Sequence, residues 1–334
     1  KLEGQTILRH PNWQMDDRLL LEHIDPELGV CHVDGQDRVM RTRDFPTVDP
    51  SDPYALSPEE QEVMDGLVDA VTSSEKLRRH VNFLYERGSA YLVHNDIVLF
   101  HACVPMNPDG TFCAVNHQGK MLAGREYYDY ADRLARRAWH EHDQVSLDWM
   151  WYLWCGRLSP LSGRVIKTFE RTYFTDESTW TEPRDPYFAL VNDPEACRSI
   201  LREFGVDPSH GHIVNGHTPV HAASGESPIK GGGLLVVIDG GFCQAYHATT
   251  GIAGYTLIAD PVGMRIKAHR PFGSIDDVLD LNKDIMSDDD RFWVEPKPLT
   301  IGDTDTGADI RGQISDLRDL LDAYRTGLLP ENAV

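Results

Sequence analysis

Two stretches of this chain, Ile97-Val98-Leu99-Phe100 and Leu234-Leu235-Val236-Val237-Ile238, put apolar side chains on consecutive positions. A strand alternates its side chains between two faces, so these runs predict strands buried on both sides, inside a sheet covered by helices. The chain is therefore expected to be α/β. Each run ends abruptly in a polar residue, His101 after the first and Asp239 after the second, and a shorter stretch from His212 to Asn215 leads into Gly216-His217-Thr218-Pro219. In α/β sheets the carboxyl ends of strands line the ligand crevice, so three such ends predict one shared site.

Helical signals surround these strands. Ser57-Pro58-Glu59-Glu60 has the form of a capping box with proline at the first helical position, followed by Val63, Met64, Leu67, Val68 and Val71 at helical spacing. A second helix is predicted from Ser74-Glu75 to the stop at Gly88, making a helical hairpin. Helices are also expected from Arg125 to His142, from Asp193-Pro194 to Gly205, and through the tail from Ile310 to Tyr324. His94-Asn95-Asp96 reads as a hairpin turn, and strands near Tyr255 to Ile258 and Met264 to Ala268 read as a meander. The first fifty or so residues show no clean period. The expected division is a mixed segment over 1–88 with the helical hairpin at 57–88, an α/β core over 89–272 and a helical tail over 273–334.

Charge narrows the partners. Asp and Glu number 53 against 32 Lys and Arg, a net charge of −21. Such a field repels phosphate backbones and anionic lipid and attracts divalent cations, so neither nucleic acid nor a membrane is an expected partner. No apolar run approaches the length of a membrane span, the first residues lack the apolar core of a signal peptide, and the cysteines form no C-x-x-C pair. A cytoplasmic protein with reduced thiols is expected. The chain opens on Lys1 rather than Met, which suggests a piece of something longer.

His101 and His217 carry the metal reading. Neutral imidazole is a common ligand for divalent transition metals, Gly216 lets the backbone approach closely, and Pro219 fixes the exit of the turn. Phosphate binding would call for Arg or Lys near the crevice, where a guanidinium fork matches two phosphate oxygens. Arg164, Arg171 and Lys230 are the candidates. His212 would sit behind His217 and orient it, as would Asp239. Trp149, Trp151 and Trp154 read most simply as core, less simply as an aromatic floor under a sugar.

The order Gly216-His217-Thr218-Pro219 followed by a strand ending in Asp-x-Gly resembles the calcineurin-like metallophosphoesterases, in which G-H-T-x-P precedes such a strand. A closer resemblance is carried by RHPNWQMDDRLLLEHID (Arg9 to Asp25), LFHACVPMNPDGTF (Leu99 to Phe112), MWYLWCGRLSPLSGR (Met150 to Arg164), TFERTYF (Thr168 to Phe174), GHIVNGHTPV (Gly211 to Val220) and GESPIK (Gly225 to Lys230). On these strings the chain resembles the class III fructose-1,6-bisphosphatases of bacteria, nearly end to end and weakening after about Gly273.

That resemblance implies a manganese-dependent hydrolase that removes the 1-phosphate of fructose 1,6-bisphosphate in gluconeogenesis. It implies the later half of a metallophosphoesterase sandwich, two mixed β-sheets flanked by helices, with His101 and His217 binding the second of two metal ions. The D-x-H, G-D-x-x-D-R and G-N-H-[DE] motifs that supply the other ligands are not found, so this C-terminal portion is expected to begin downstream of them. No catalytic residue is assigned. An exposed sheet edge would invite a partner and leaves a homo-oligomer open. The alternatives are a catalytically silent scaffold and a metallophosphoesterase with another phosphate ester.

Overall fold

The structure is a computed structural model that describes every residue except 118, 242, 244, 246, 252–253, 270–273, 282–286 and 331–334. Contacts rather than sequence order divide the chain into two compact units, one formed by 1–91 and 100–192, the other by 92–99 and 193–334. Residues 92–99 join the second because their strand pairs with one far along the chain, Val98 opposite Ile213 and Leu99 opposite Val214.

The first unit opens on a helix, Leu2–Arg9, that the aperiodic N-terminal sequence did not predict. A small antiparallel sheet of Ile24–Asp25, Val30–Val33 and Gln36–Val39 follows. The expected helical hairpin is present as Pro58–Thr72 and Glu75–Arg87. Ser57 accepts from the Glu60 amide in a complete capping box, and Ser74 accepts from the amide of Leu77. Its apolar stripes, however, are not core: neither helix contains a buried residue, and Leu67 and Leu84 remain 55% and 64% exposed.

The core lies instead under two later helices, Gly124–Glu141 and Gln144–Cys155. There Tyr127, Leu134, Trp149 and Tyr152 pack with Ile7, Trp13, Met15 and Leu19 from the first twenty residues. Of the predicted tryptophan cluster, Trp149 is buried and Trp151 packs against the core, but Trp154 points outward at 78% exposure. Helical spacing explains the split, because residues five apart on a helix lie on opposed faces. Gly163 is required where it stands: its φ is +61°, and a Cβ there would come within 2.7 Å of Cys103 Sγ and of the Phe188 ring.

The second unit is built on a five-stranded sheet in the order Tyr91–His94, Ile97–Phe100, His212–Asn215, Leu235–Val237, Ile229–Lys230. The three strands from Ile97–Phe100 to Leu235–Val237 run parallel, and Ile229–Lys230 is antiparallel at one edge. Both apolar runs are thus internal strands, as their two-faced hydrophobicity requires. The hairpin turn forms with Asn95 and Asp96 at φ +48° and +60°, the left-handed pair that a right-twisted two-residue hairpin needs.

Helix Pro194–Glu203, capped by the Asp193 side chain, buries Cys197, Ile200 and Leu201. Gly254–Asp260, Gly263–His269 and Ser287–Val294 form an antiparallel sheet whose third strand the sequence did not announce. The tail helix spans Asp305–Arg325, and Gly307 is its one buried residue.

Two mixed sheets were expected. Among the described residues one sheet is mixed and the others are antiparallel, since Gly254–Asp260 and Gly263–His269 are joined by a tight turn rather than a crossover. No described helix is long and apolar enough to cross a membrane.

Candidate functional site

The carboxyl end of the central sheet collects several predicted residues in the second unit. All four residues of His212–Asn215 are buried, and the strand stops there, with the chain bending at His217 and Thr218. Its neighbour is the loop after Leu235–Val237. Ile238 donates its amide to Asn215 O at 2.9 Å, and Val220 donates to Asp239 O at 3.0 Å. Asp239 is held in turn by its own loop, its carboxylate accepting from the Gly241 amide at 3.0 Å. Asp239 therefore fixes the exit of the His217 turn through main-chain bonds.

His217 itself has φ +67°. The left-handed region costs a residue with a Cβ roughly 1 kcal/mol or more, and such strain gathers at sites where a side chain must be aimed. Beside it the Thr218 hydroxyl is buried without a hydrogen-bond partner among the described residues. This is the most site-like feature of the sheet.

His212 has a different setting. Its ring is 2% exposed and meets Trp293 edge-on at 4.7 Å, between its strand and the antiparallel sheet. Burial disfavours the imidazolium and pushes its pKa down to about 4, so it is a neutral packed ring.

His101 follows its strand as predicted but belongs to the first unit, where it is exposed. His217 belongs to the second. Among the described residues no group of three or more His, Cys, Asp or Glu side chains gathers to hold a metal ion. The donor set of these residues does not by itself fit a manganese site.

The three predicted phosphate clamps are each bound to an internal carboxylate. Arg164 Nη1 lies 3.4 Å and Arg171 Nη2 3.6 Å from the same oxygen, Glu182 Oε2. Two guanidiniums on one carboxylate leave a positive charge uncompensated, and Arg171 is half exposed. Lys230 is in the second unit, 2.8 Å from Glu226 Oε1. Burial opposes ionisation of Glu226, yet the bonds from Lys230 and from the His221 amide hold its carboxyl below the usual range.

Two charged clusters in the first unit were not foreseen. In TFERTYF the buried charged member is Glu170, which receives a two-pronged bond from Arg18 at 2.8 and 2.7 Å, with Lys167 at 3.0 Å. The other centres on Asp148, which stands among aromatic residues in the sequence and gave no signal. Its carboxylate takes bonds from Arg9 Nε and His10 Nε2, both at 2.8 Å, and from Gln144 Nε2 at 2.8 Å. Burial alone would raise the pKa of Asp148, but the bonds from Arg9, Gln144 and His10 outweigh it and hold the group below its ordinary value. The strings that carry the resemblance do contain Arg9, His10 and Arg18; their partners, more than a hundred residues away, left no pattern to read.

Comparison with known proteins extends the strings to nearly the whole chain. Residues 1–326 match a family model described as Firmicute fructose-1,6-bisphosphatase. The chain is 43% identical over 337 residues to a fructose-1,6-bisphosphatase class 3 of Clostridium novyi, covering 99% of this chain and 51% of that protein. A fructose-1,6-bisphosphatase class 3 of Parabacteroides distasonis gives the same identity and coverage. One of Listeria monocytogenes is 41% identical over 338 residues, with 99% and 52% covered. The chain thus spans about half the length of the curated relatives it matches, and these matches do not support assigning it to their C-terminal portion. No solved structure matches it, so the calcineurin-like sandwich has no structural relative behind it.

Proposed function

The chain belongs to the Firmicute fructose-1,6-bisphosphatase family, and from that premise we propose that it is part of an enzyme that hydrolyses the 1-phosphate of fructose 1,6-bisphosphate. The observation that carries this reading is the 43% identity to class 3 enzymes across 99% of the chain. In the reaction water attacks phosphorus, the bond from phosphorus to the sugar oxygen breaks, and the leaving alkoxide takes up a proton to give fructose 6-phosphate and inorganic phosphate. His217, in the second unit, is proposed as a ligand of Mn²⁺, its strained backbone supporting that assignment, and His101, in the first unit, is proposed as a Mn²⁺ ligand on the family resemblance alone. Because the described donors do not complete a metal site, no step is derived through the ion.

What this chain's own residues supply is binding and orientation. Arg164 and Arg171, sharing Glu182, offer a partly compensated cationic pair to a phosphate dianion. Lys230, tethered by Glu226, is a third candidate. Asp239 orients the His217 turn through the Val220 amide.

The test is phosphate release from fructose 1,6-bisphosphate with Mn²⁺ by the protein at its native length, wild type against His217→Ala and Arg171→Ala. Loss of a residue that merely supports a metal ligand costs about 10- to 100-fold, so His217→Ala should lose at least that. Arg171→Ala should raise KM more than it lowers kcat. Wild-type protein that releases no phosphate would sink the proposal. Faster release from a nucleotide or phosphopeptide would move the chain to another substrate.

A further inference from the structure

Where the helix Leu2–Arg9 ends, the first unit opens into a crevice of about 420 Å³ walled by His10, Asn12, Trp13, Asn116, His117 and Trp149. Rings dominate it. The imidazole of His10 stacks on Trp13 at 4.1 Å and 13°, Trp13 meets Trp149 edge-on at 5.3 Å, and His117 meets Trp149 edge-on at 5.5 Å.

The charges around the crevice are already matched. Asp148 is bound by Arg9, His10 and Gln144, and Arg137 by Glu141 and Asp143. Arg133 lies over the Tyr130 ring and is not part of the wall. What remains for a ligand is a set of hydrogen-bonding groups. His10 gives one ring nitrogen to Asp148, and its Nδ1 makes no hydrogen bond among the described residues. The ring nitrogens of His117 make none either, and among the described residues the buried Trp13 indole N–H has no partner. Burial, with His10 and Arg137 nearby, lowers the pKa of His117 and keeps that ring uncharged at neutral pH.

This inventory discriminates between ligands. A phosphate or carboxylate entering here would lose its water and meet no spare cation. A polyol finds hydrogen-bonding partners on the accessible wall: the His117 imidazole accepts from its hydroxyls and the Asn116 side-chain amide donates to them. The volume falls within the range of small-ligand sites.

We propose that this crevice is a binding site for an uncharged sugar ring, recognised through its hydroxyls and separate from any phosphate contact. The site goes beyond the hydrolase reading and does not rest on it. It uses Trp149 as part of a sugar-facing wall while leaving that ring in the core.

The experiment is saturation-transfer NMR with methyl β-D-fructofuranoside and, in parallel, inorganic phosphate, on wild type, His117→Phe and His10→Gln. His117→Phe keeps the ring packing and removes only the nitrogens, so a misfolding explanation does not apply to it as it could to His10→Gln. At roughly 10 mM sugar a site with Kd of about 1 mM is mostly filled. Wild type should show transfer to ring protons that phosphate does not displace, and each substitution should weaken binding about tenfold, the worth of one hydrogen bond. No transfer in wild type, displacement by phosphate, or equal binding by His117→Phe would each overturn the proposal. Phosphate release is assayed separately, so an inactive protein that still binds the furanoside counts against the hydrolase alone.

Discussion

His10 Nε2 and Asp148 Oδ2 lie 2.8 Å apart although 138 residues separate them in the chain. Arg9 grips the same carboxylate with two nitrogens, so the end of the first helix is fastened to Gln144–Cys155 by polar bonds as well as by the Trp13 contacts. The N-terminal helix has no side-chain cap of its own. Its position is fixed by what it touches.

Asp148→Asn should therefore loosen the first unit. It removes the negative charge and one of the two oxygens that Arg9 and His10 share and sets an NH2 donor against their donors, a loss of about 2 kcal/mol, moderated because Arg9 is partly exposed. Urea midpoints of the two proteins measure it. Since the native state depresses the pKa of Asp148, its contribution is present above the unfolded carboxylate pKa and is lost as pH falls through the lower folded value. The gap between variant and wild type should close in that acid window, and a constant gap would refute the argument.

Glu170→Gln should be costlier. Arg18 and Glu170 are 5% and 2% exposed, and removing one partner of a buried pair strands the other charge, a penalty of about 3–5 kcal/mol. Arg171→Ala, beside it in sequence but on the surface, should change stability by less than about 1 kcal/mol. Equal effects on thermal midpoints would contradict this division of the TFERTYF string.

His217→Gly separates strain from function. Glycine adopts φ +67° without penalty, so relief of roughly 1 kcal/mol should offset the lost ring contacts and leave stability nearly unchanged, while phosphate release collapses. A variant that is stable and fully active would remove His217 from the site.

His212 should make the second unit acid-sensitive. Its folded pKa is about 4 against an ordinary value of 6.5, so below 6.5 the unfolded chain binds the extra proton and stability falls as pH drops towards 4, by up to about 3 kcal/mol. His212→Phe, which keeps a ring against Trp293, should flatten the stability–pH curve between those values. An unchanged curve would mean that the ring is not buried as described.

Much of the fold was legible wherever local chemistry decides. The cap at Ser57, the turn at Asn95-Asp96 and the two-faced strands all form where the residues dictate, because each answers to neighbours a few positions away. Long-range pairing was not legible. Arg18 reads as an ordinary surface residue until Glu170, 152 positions later, is brought against it. Ser287–Val294 begins with acidic residues that give no strand signal and pairs only because Gly263–His269 offers an edge. The hairpin stripes show the converse limit: helical periodicity predicts a helix, but not that anything in these units covers it. In the candidate site, strand ends marked His217 and Asp239, whereas ion pairing of Arg164 and Arg171 with Glu182 depended on folding.

The turn between the first two strands of the central sheet also reaches the tail helix. The Asn95 amide donates to Asp305 Oδ2 at 2.8 Å, and the Asp305 amide donates to Asn95 Oδ1 at 3.0 Å. Each residue thereby closes the other's main chain, so neither bond persists once its counterpart opens. Unwinding of the last helix from its first turn and loosening of the hairpin tip become a single opening event, and exchange of the two amide protons with solvent deuterium should report one common opening free energy.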